Sequence, residues 1–294
     1  MSGEAAFIDT LRQIAADPAA RGLLDDCAVL SLGSETLVLT HDMMVEGVHY
    51  LPDQDMADVA WKLVAVNLSD LAAKGAQPLG VLLGFMLGQD DARFADGLAE
   101  VLNAYDVPLL GGDTVSGGPP HAFGLTAVGT ATHTPVPSRS GTRPGDAVWI
   151  TGPVGAAMLG LEALRDASGK DSTAYRRPVP LLSAGQALAP IASAMMDVSD
   201  GVLLDASRMA EASRVTIAIK TAAVPIATPE DRRSEALRWG EDYQLLFTAP
   251  DGVQPPVPAH RIGEVVDRQD SALLLDGKPP NPDERLGYQH GSQK

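Results

Sequence analysis

The chain has 294 residues, of which 45% are hydrophobic and 20% charged, with 29 glycines and 22 prolines; this suits two ordinary domains with cores of their own and excludes a disordered or fibrous chain. Its 38 acids against 22 bases leave a net charge of −16, and aromatics make up 4%, which argues against nucleic acid or an anionic membrane surface as partner. Any phosphate-bearing ligand must bring counter-charge, most simply a divalent metal ion.

In chain order, the N-terminal stretch carries Glu4 and Asp9 where a secretory signal would be basic and then apolar, so no export signal is expected. The single cysteine, Cys27, excludes an internal disulfide framework and fits a reducing cytoplasm. Residues 28–32 and 36–40 read as a hairpin around Gly33-Ser34, with Asp42 just beyond it. Apolar residues at 57, 60, 61, 64, 68, 71 and 72 predict a helix over 57–73 with Gly75 at its C-terminal end and Asn67 and Asp70 on one flank. A buried strand is expected at 79–87, a helix at 91–105, a short strand at 108–110 running into Gly111-Gly112-Asp113, and a strand at 122–132. The turn-rich seam 132–146, with prolines at 135, 137 and 144, separates two halves. Beyond it an α/β alternation restarts: strand 147–150, helix 155–165, strand 194–196, helix 202–212, strand 215–220 and strands near 243–248, 262–266 and 272–275. The longest uncharged runs, such as 178–196, are broken by prolines and do not reach membrane-spanning hydropathy.

The P-loop pattern is absent, and no two glycines are separated by a single residue, which removes the dinucleotide fingerprint as well. What remains is a series of acids at element ends beside small residues: Asp25-Asp26, Asp42, Asn67-Leu-Ser-Asp70, Gly112-Asp113-Thr114, Asp197-Val-Ser199-Asp200-Gly201 and Gly240-Glu241-Asp242. Taken singly, each has an ordinary explanation as a helix cap, a solvated helix flank, a tight turn or a surface pair. Together, in a chain without His or Cys clusters, they form a set of hard oxygen ligands suited to Mg²⁺ and phosphate. His49 reads as a satisfied turn histidine, Cys27 as packing, and Arg139 either as a surface arginine or as a clamp on phosphate oxygens.

The ordered set Asp25-Asp26-Cys27-Ala28-Val29, Thr40-His41-Asp42-Met43-Met44-Val45-Glu46-Gly47-Val48-His49, Val66-Asn67-Leu68-Ser69-Asp70 through Lys74-Gly75-Ala76, Gly111-Gly112-Asp113-Thr114, Arg139-Ser140-Gly141, Asp197 to Gly201 and Gly240 to Leu245 resembles the thiamine-monophosphate kinases over about residues 20–290. The resemblance implies a two-domain α/β (α+β) fold like that of aminoimidazole ribonucleotide synthetase. It divides the chain into residues 1–138, an ATP- and metal-binding domain, and 139–294, a C-terminal α/β domain, and implies a homodimer whose N-terminal strands form a shared barrel. It implies Mg²⁺ as cofactor, ATP as co-substrate and thiamine monophosphate as acceptor in a direct in-line transfer. On the family's metal positions fall Asp26, Thr40, His41, Asp42, Asp70, Asp113, Asp197 and Asp200; on its ATP positions Gly112, Asp113, Arg139 and Ser199; on its substrate positions His49, Glu241 and Tyr288. No residue is implied as general base.

The chain departs from the family pattern at Leu24, where Gly is usual, at His41, where Thr is common, and at Lys74, where Met is frequent; its C-terminal half is also short. Two other readings fit the same scaffold. One is another ATP-using enzyme of the superfamily, although neither a reactive N-terminal Cys nor a C-terminal Cys is found, the tail reading Gly291 to Lys294. The other is a non-catalytic regulator that binds nucleotide or metal.

Overall fold

The computed structural model describes residues 3–88 and 90–289. Its first half runs α1 (Gly3–Arg12), β1 (Ala28–Leu32), β2 (Glu35–Val45), α2 (Met56–Ala73), β3 (Ala76–Leu87), α3 (Asp91–Tyr105), β4 (Leu109–Ser116) and β5 (Ala122–Ala131). Its second half runs β6 (Asp146–Ile150), α4 (Ala156–Arg165), α5 (Thr173–Arg176), α6 (Leu182–Leu188), β7 (Ala194–Asp197), α7 (Val202–Ser213), β8 (Thr216–Ile219), α8 (Arg233–Ala236), β9 (Leu245–Pro250), β10 (His260–Val266) and β11 (Leu273–Leu275). The strands form two mixed sheets, ordered β1-β2-β5-β3-β4 and β11-β8-β10-β6-β9-β7. The tail Gly291 to Lys294 lies outside the described residues, among which no helix is long and apolar enough to cross a membrane.

Helix α2 organises the molecule. Asp55 caps its start by accepting the amide N–H of Ala57 at 2.9 Å, and Gly75, at φ +59°, ends it. One face packs with α3 on the first sheet around Leu63, Val64, Leu68, Phe94 and Phe123. The opposite face meets the second half: a third core joins Ala72 and Ala73 of α2 to Leu188 of α6 and to Met195, Leu245 and Phe247 of the second sheet. A β-carbon on Gly185 would stand 1.9 Å from the Ala72 carbonyl, so α6 reaches α2 only because position 185 carries no side chain. Helix α2 is therefore buried nearly all round. Its polar residues Lys62, Asn67, Ser69 and Asp70, with Lys74 just beyond, consequently lie in the interior.

Three local expectations are corrected. Asp42 is not beyond the hairpin but inside β2, which continues to Val45 because β5 pairs with it from Leu37 to Val45. Strand β3 is not wholly buried: Leu79 and Leu82 are more than two-fifths exposed, because its outer face has no covering layer, and Leu87 is exposed at the strand's end. The segment 111–116 is not a turn but part of β4, and Gly112 is required there, since a β-carbon would sit 2.0 Å from the Leu83 carbonyl across the parallel pairing. Helices α1, α5, α6 and α8 are additions to the elements expected from the sequence.

Candidate active site

The loop before β1, the C-terminal part of α2 and the end of β7 meet between the sheets, alongside the middle of β2. Asp26, Asp70 and Asp197 each offer a carboxylate oxygen within 4.8 Å of the others. Thr40 donates its hydroxyl to Asp70, and Ser69 donates to Asp197 at 2.6 Å. Asn67 accepts the amide N–H of Asp42 at 2.9 Å while donating to the Leu63 carbonyl, which fixes the backbone of β2 to α2. Asp70 and Asp197 are buried, not solvated flanks or caps.

The charge on this group is divided unevenly. Asp25 and Asp26 are ion-paired with Arg21, Lys74 and Arg139. Burial opposes their ionisation, but Lys74 with Arg21 for Asp25, and Lys74 with Arg139 for Asp26, hold both carboxyls below the usual range. At Asp42 and Asp197 the balance is reversed. Burial and then the charge of Asp26 push Asp42 up to about 6 and Asp197 up to about 7. Burial, Asp42 and Asp197 likewise raise Asp70. Hydroxyl donors orient Asp70 and Asp197 without neutralising them, which is the condition in which a hard divalent cation gains most from oxygen ligands. The donor set, all oxygen and converging from three elements, fits Mg²⁺. Beside it, Arg139 Nε is buried with no hydrogen-bond partner, a spare donor suited to an anionic oxygen.

Of the remaining sequence candidates, Asp200 lies within the same acidic field and pairs with Arg208, which also contacts the buried Asp205 at 3.1 Å. The carbonyl of Ser199 accepts the amide N–H of Glu241 at 2.8 Å, and the carbonyl of Asp200 accepts that of Tyr288 at 2.9 Å, so both lie at the rim of this group. The His49 ring accepts the Val45 amide at 3.0 Å, while its carbonyl accepts from Lys62 at 3.0 Å and from Tyr175 at 3.1 Å. The same Lys62 ammonium binds Glu241 at 2.7 Å and lies over the Tyr175 ring.

Two candidates stand apart. His41 is on the uncovered face of the first sheet, bonded to Thr126 at 2.9 Å. Asp113 is on that face too, in register with Gly84, Gly124 and Met43 across β4-β3-β5-β2. Three strand spacings, roughly 14 Å, separate its strand from that of Asp42, whose side chain points to the helix layer. Gly112 accompanies Asp113 on β4. The sequence reading did not assign Ser69, Lys62 or Tyr175; a lysine interrupting an otherwise apolar helix was the available signal for Lys62.

Because a carboxyl with a raised folded pKa contributes stability below its unfolded value of 3.8 and loses it as pH rises through the folded value, Asp42 and Asp197 make the metal-free protein weaker at higher pH. The lowered carboxyls of Asp25 and Asp26 act below 3.8, outside that window. In EDTA the thermal midpoint is therefore expected to fall between about pH 5 and about pH 8, and Mg²⁺ added at the upper end to restore it. A midpoint that climbs over this range without metal contradicts the charge assignment.

The chain matches the model of AIR synthase related protein, N-terminal domain, over residues 24–131, and that of the C-terminal domain over residues 143–276. It is 37% identical over 299 residues to the thiamine-monophosphate kinase of Escherichia coli (strain K12), covering 92% of this chain and 91% of that one. It is 36% identical to that of Caulobacter vibrioides, covering 94% and 86%. Among solved structures, AaThiL complexed with AMPPCP and TMP superposes with a TM-score of 0.87 at 29% identity over 98% of this chain and 97% of that one. The thiamine-monophosphate kinase of Stenotrophomonas maltophilia K279a superposes with a TM-score of 0.77 at 30% identity over 92% and 95%. Hydrogenase maturation protein HypE, at 21% identity and a TM-score of 0.69, shares the fold. With two sheets, a carboxylate group between them and this degree of likeness along nearly its whole length, the chain belongs to the thiamine-monophosphate kinase family of AIR synthase related proteins.

Proposed function

We propose that this protein transfers the γ-phosphoryl group of ATP to the phosphate of thiamine monophosphate, forming thiamine diphosphate and ADP. The observation that carries the reading is the convergence of Asp26, Asp70 and Asp197 beside an arginine whose buried Nε has no partner. The acceptor is a phosphate oxygen already ionised at neutral pH. The new P–O bond forms as the bond to ADP breaks, and no side chain has to remove a proton; no residue is assigned as general base. Phosphoryl transfer of this kind asks the protein for alignment and for charge compensation.

Asp26, Asp42, Asp70 and Asp197, with Thr40 and Asp200 at the edge, would hold Mg²⁺, which when bound supplies the positive charge that phosphate oxygens require. Arg139 directs its free N–H at a phosphate oxygen, Ser199 lines the nucleotide side, and His49, Glu241 and Tyr288 face the acceptor. Lys62 fixes the Glu241 carboxylate and the His49 carbonyl together, so the acceptor side is tied to α2 and thereby to Asp70. Residues 1–138 form the N-terminal ATP- and metal-binding domain with the dimerising sheet, and 139–294 the C-terminal α/β domain, which adds Arg139, Asp197, Ser199 and Asp200 to the site. The lone cysteine supports a cytoplasmic location.

The chain acts as a homodimer. Leu30, Leu32, Met43, Leu82 and Val115 lie exposed on the uncovered face of the first sheet, and β4 is an open edge. A second copy covers both features. Asp113 and His41 lie on that same face, away from Asp42, so Gly112 and Asp113 serve the phosphate site of the partner, and His41 faces the second copy and not the carboxylate group of its own chain.

Incubation with ATP, Mg²⁺ and thiamine monophosphate is expected to yield thiamine diphosphate, detected by mass, and Asp42→Asn to lower the rate by about a hundredfold or more. A variant as active as the parent would remove the metal assignment, while ATP binding without product would favour a nucleotide-binding regulator. The dimer reading has its own assay. Asp42→Asn and Asp113→Asn chains, each inactive alone, are expected to regain about a quarter of parental activity when mixed and allowed to exchange subunits, because half of the dimers are mixed and each of those rebuilds one of two sites. No recovery in a mixture shown to exchange places Asp113 in its own chain's site.

A further inference from the structure

Lys74 has the environment of a bound hard cation. Its ammonium is fully buried, 2.6 Å from an oxygen of Asp25, 2.6 Å from an oxygen of Asp26 and 3.2 Å from the backbone carbonyl of Met195. These three oxygens satisfy all three of its N–H donors. They come from the loop before β1 and from β7, and Lys74 itself ends α2, so the ammonium ties together the three segments that supply Asp26, Asp70 and Asp197. Two carboxylates and a backbone carbonyl are also the donors from which divalent-cation sites are built.

The surrounding charges divide into two ends. Asp25 and Asp26 meet three side-chain cations, Arg21, Lys74 and Arg139. Asp70 and Asp197 are held by hydroxyls instead. We propose that the Lys74 ammonium is a built-in cation standing in for a divalent ion at Asp25 and Asp26. On this account the resident metal is taken up where Asp26 is shared with Asp70 and Asp197, beside Asp42, and not between Asp25 and Asp26, and a neutral residue at position 74 opens a further divalent-ion site there. Lys74 is thus a positioning residue. It holds one oxygen of Asp26 and leaves the carboxylate's remaining lone pairs for the shared site. The inference rests on the metal assignment of the kinase reading, but its readout requires no turnover.

Mn²⁺ bound to the full chain in the presence of a non-hydrolysable ATP analogue can be counted from the loss of the free-ion electron paramagnetic resonance signal. Lys74→Met is expected to bind about one more Mn²⁺ per chain than the parent, and Lys74→Arg the same number as the parent. Lys74→Gln, which keeps polar contacts without charge, carries the same expectation as Lys74→Met and covers a failure of that variant to fold. The thermal midpoint of the neutral variants should drop in EDTA and recover with Mn²⁺ further than the parent's does. An unchanged count in both neutral variants, or failure of both to fold at saturating Mn²⁺, overturns the proposal. Product formation with an unchanged count would retain the kinase and discard this role; a raised count without product would do the reverse.

Discussion

Buried carboxylates without their own cations set the terms for the whole molecule. Placing one charge in a protein interior is costly, and placing Asp42, Asp70 and Asp197 close together raises the proton affinity of each. A chain selected only for stability would replace at least one of them with an amide. Retaining all three makes folding and ligand binding a single problem, because whatever neutralises the group also stabilises the fold. The net charge of −16 that makes the surface unwelcoming to phosphate is, at this one place, what makes phosphate binding feasible once metal is present.

The scaffold explains how such a group can be held in place. Helix α2 presents Asn67, Ser69 and Asp70 within a single turn and is gripped on one side by the first sheet and on the other by α6 and β7. Asn67 reads the backbone of β2, Ser69 reaches Asp197, and Lys62 reaches Glu241. The bonds of Ser69 and Lys62 cross between the two halves at points where apolar packing alone would leave the relative position free to slide, and that of Asn67 fixes α2 on its own sheet. Specific polar bonds inside a close-packed interior fix register in a way that packing of Ala, Leu and Val does not.

Much of this was legible in the sequence. The two-part α/β organisation, the span of α2 and the set of acids follow from periodicity and from residue types at element ends. The failures have physical causes. The stripe of apolar residues on α2 suggested one buried face, because a pattern of small residues such as Ala65, Ala72 and Ala73 does not announce that a second surface packs there. Helix α6 is a seven-residue segment whose place depends on Gly185 meeting Ala72, a contact more than a hundred residues distant in the chain. Motif order put His41 and Asp113 beside Asp42, but the alternation of side chains along a strand sends His41 to the other face, and sheet order sets Asp113 three strands away. Lys74 was visible as an unusual residue in its motif; its two carboxylate partners were not, since they are joined to it only by the fold.

The central claim is that the Asp42, Asp70 and Asp197 group is destabilising until metal and phosphate neutralise it. The most direct measurement is the thermal midpoint of Asp197→Asn at about pH 8, in EDTA and again with Mg²⁺ and an ATP analogue. An amide at this position still accepts the Ser69 hydroxyl while removing one charge, so the account predicts a higher midpoint than the parent's in EDTA and a smaller gain on adding metal and nucleotide. A variant that melts below the parent in EDTA yet gains as much from the ligands would contradict it.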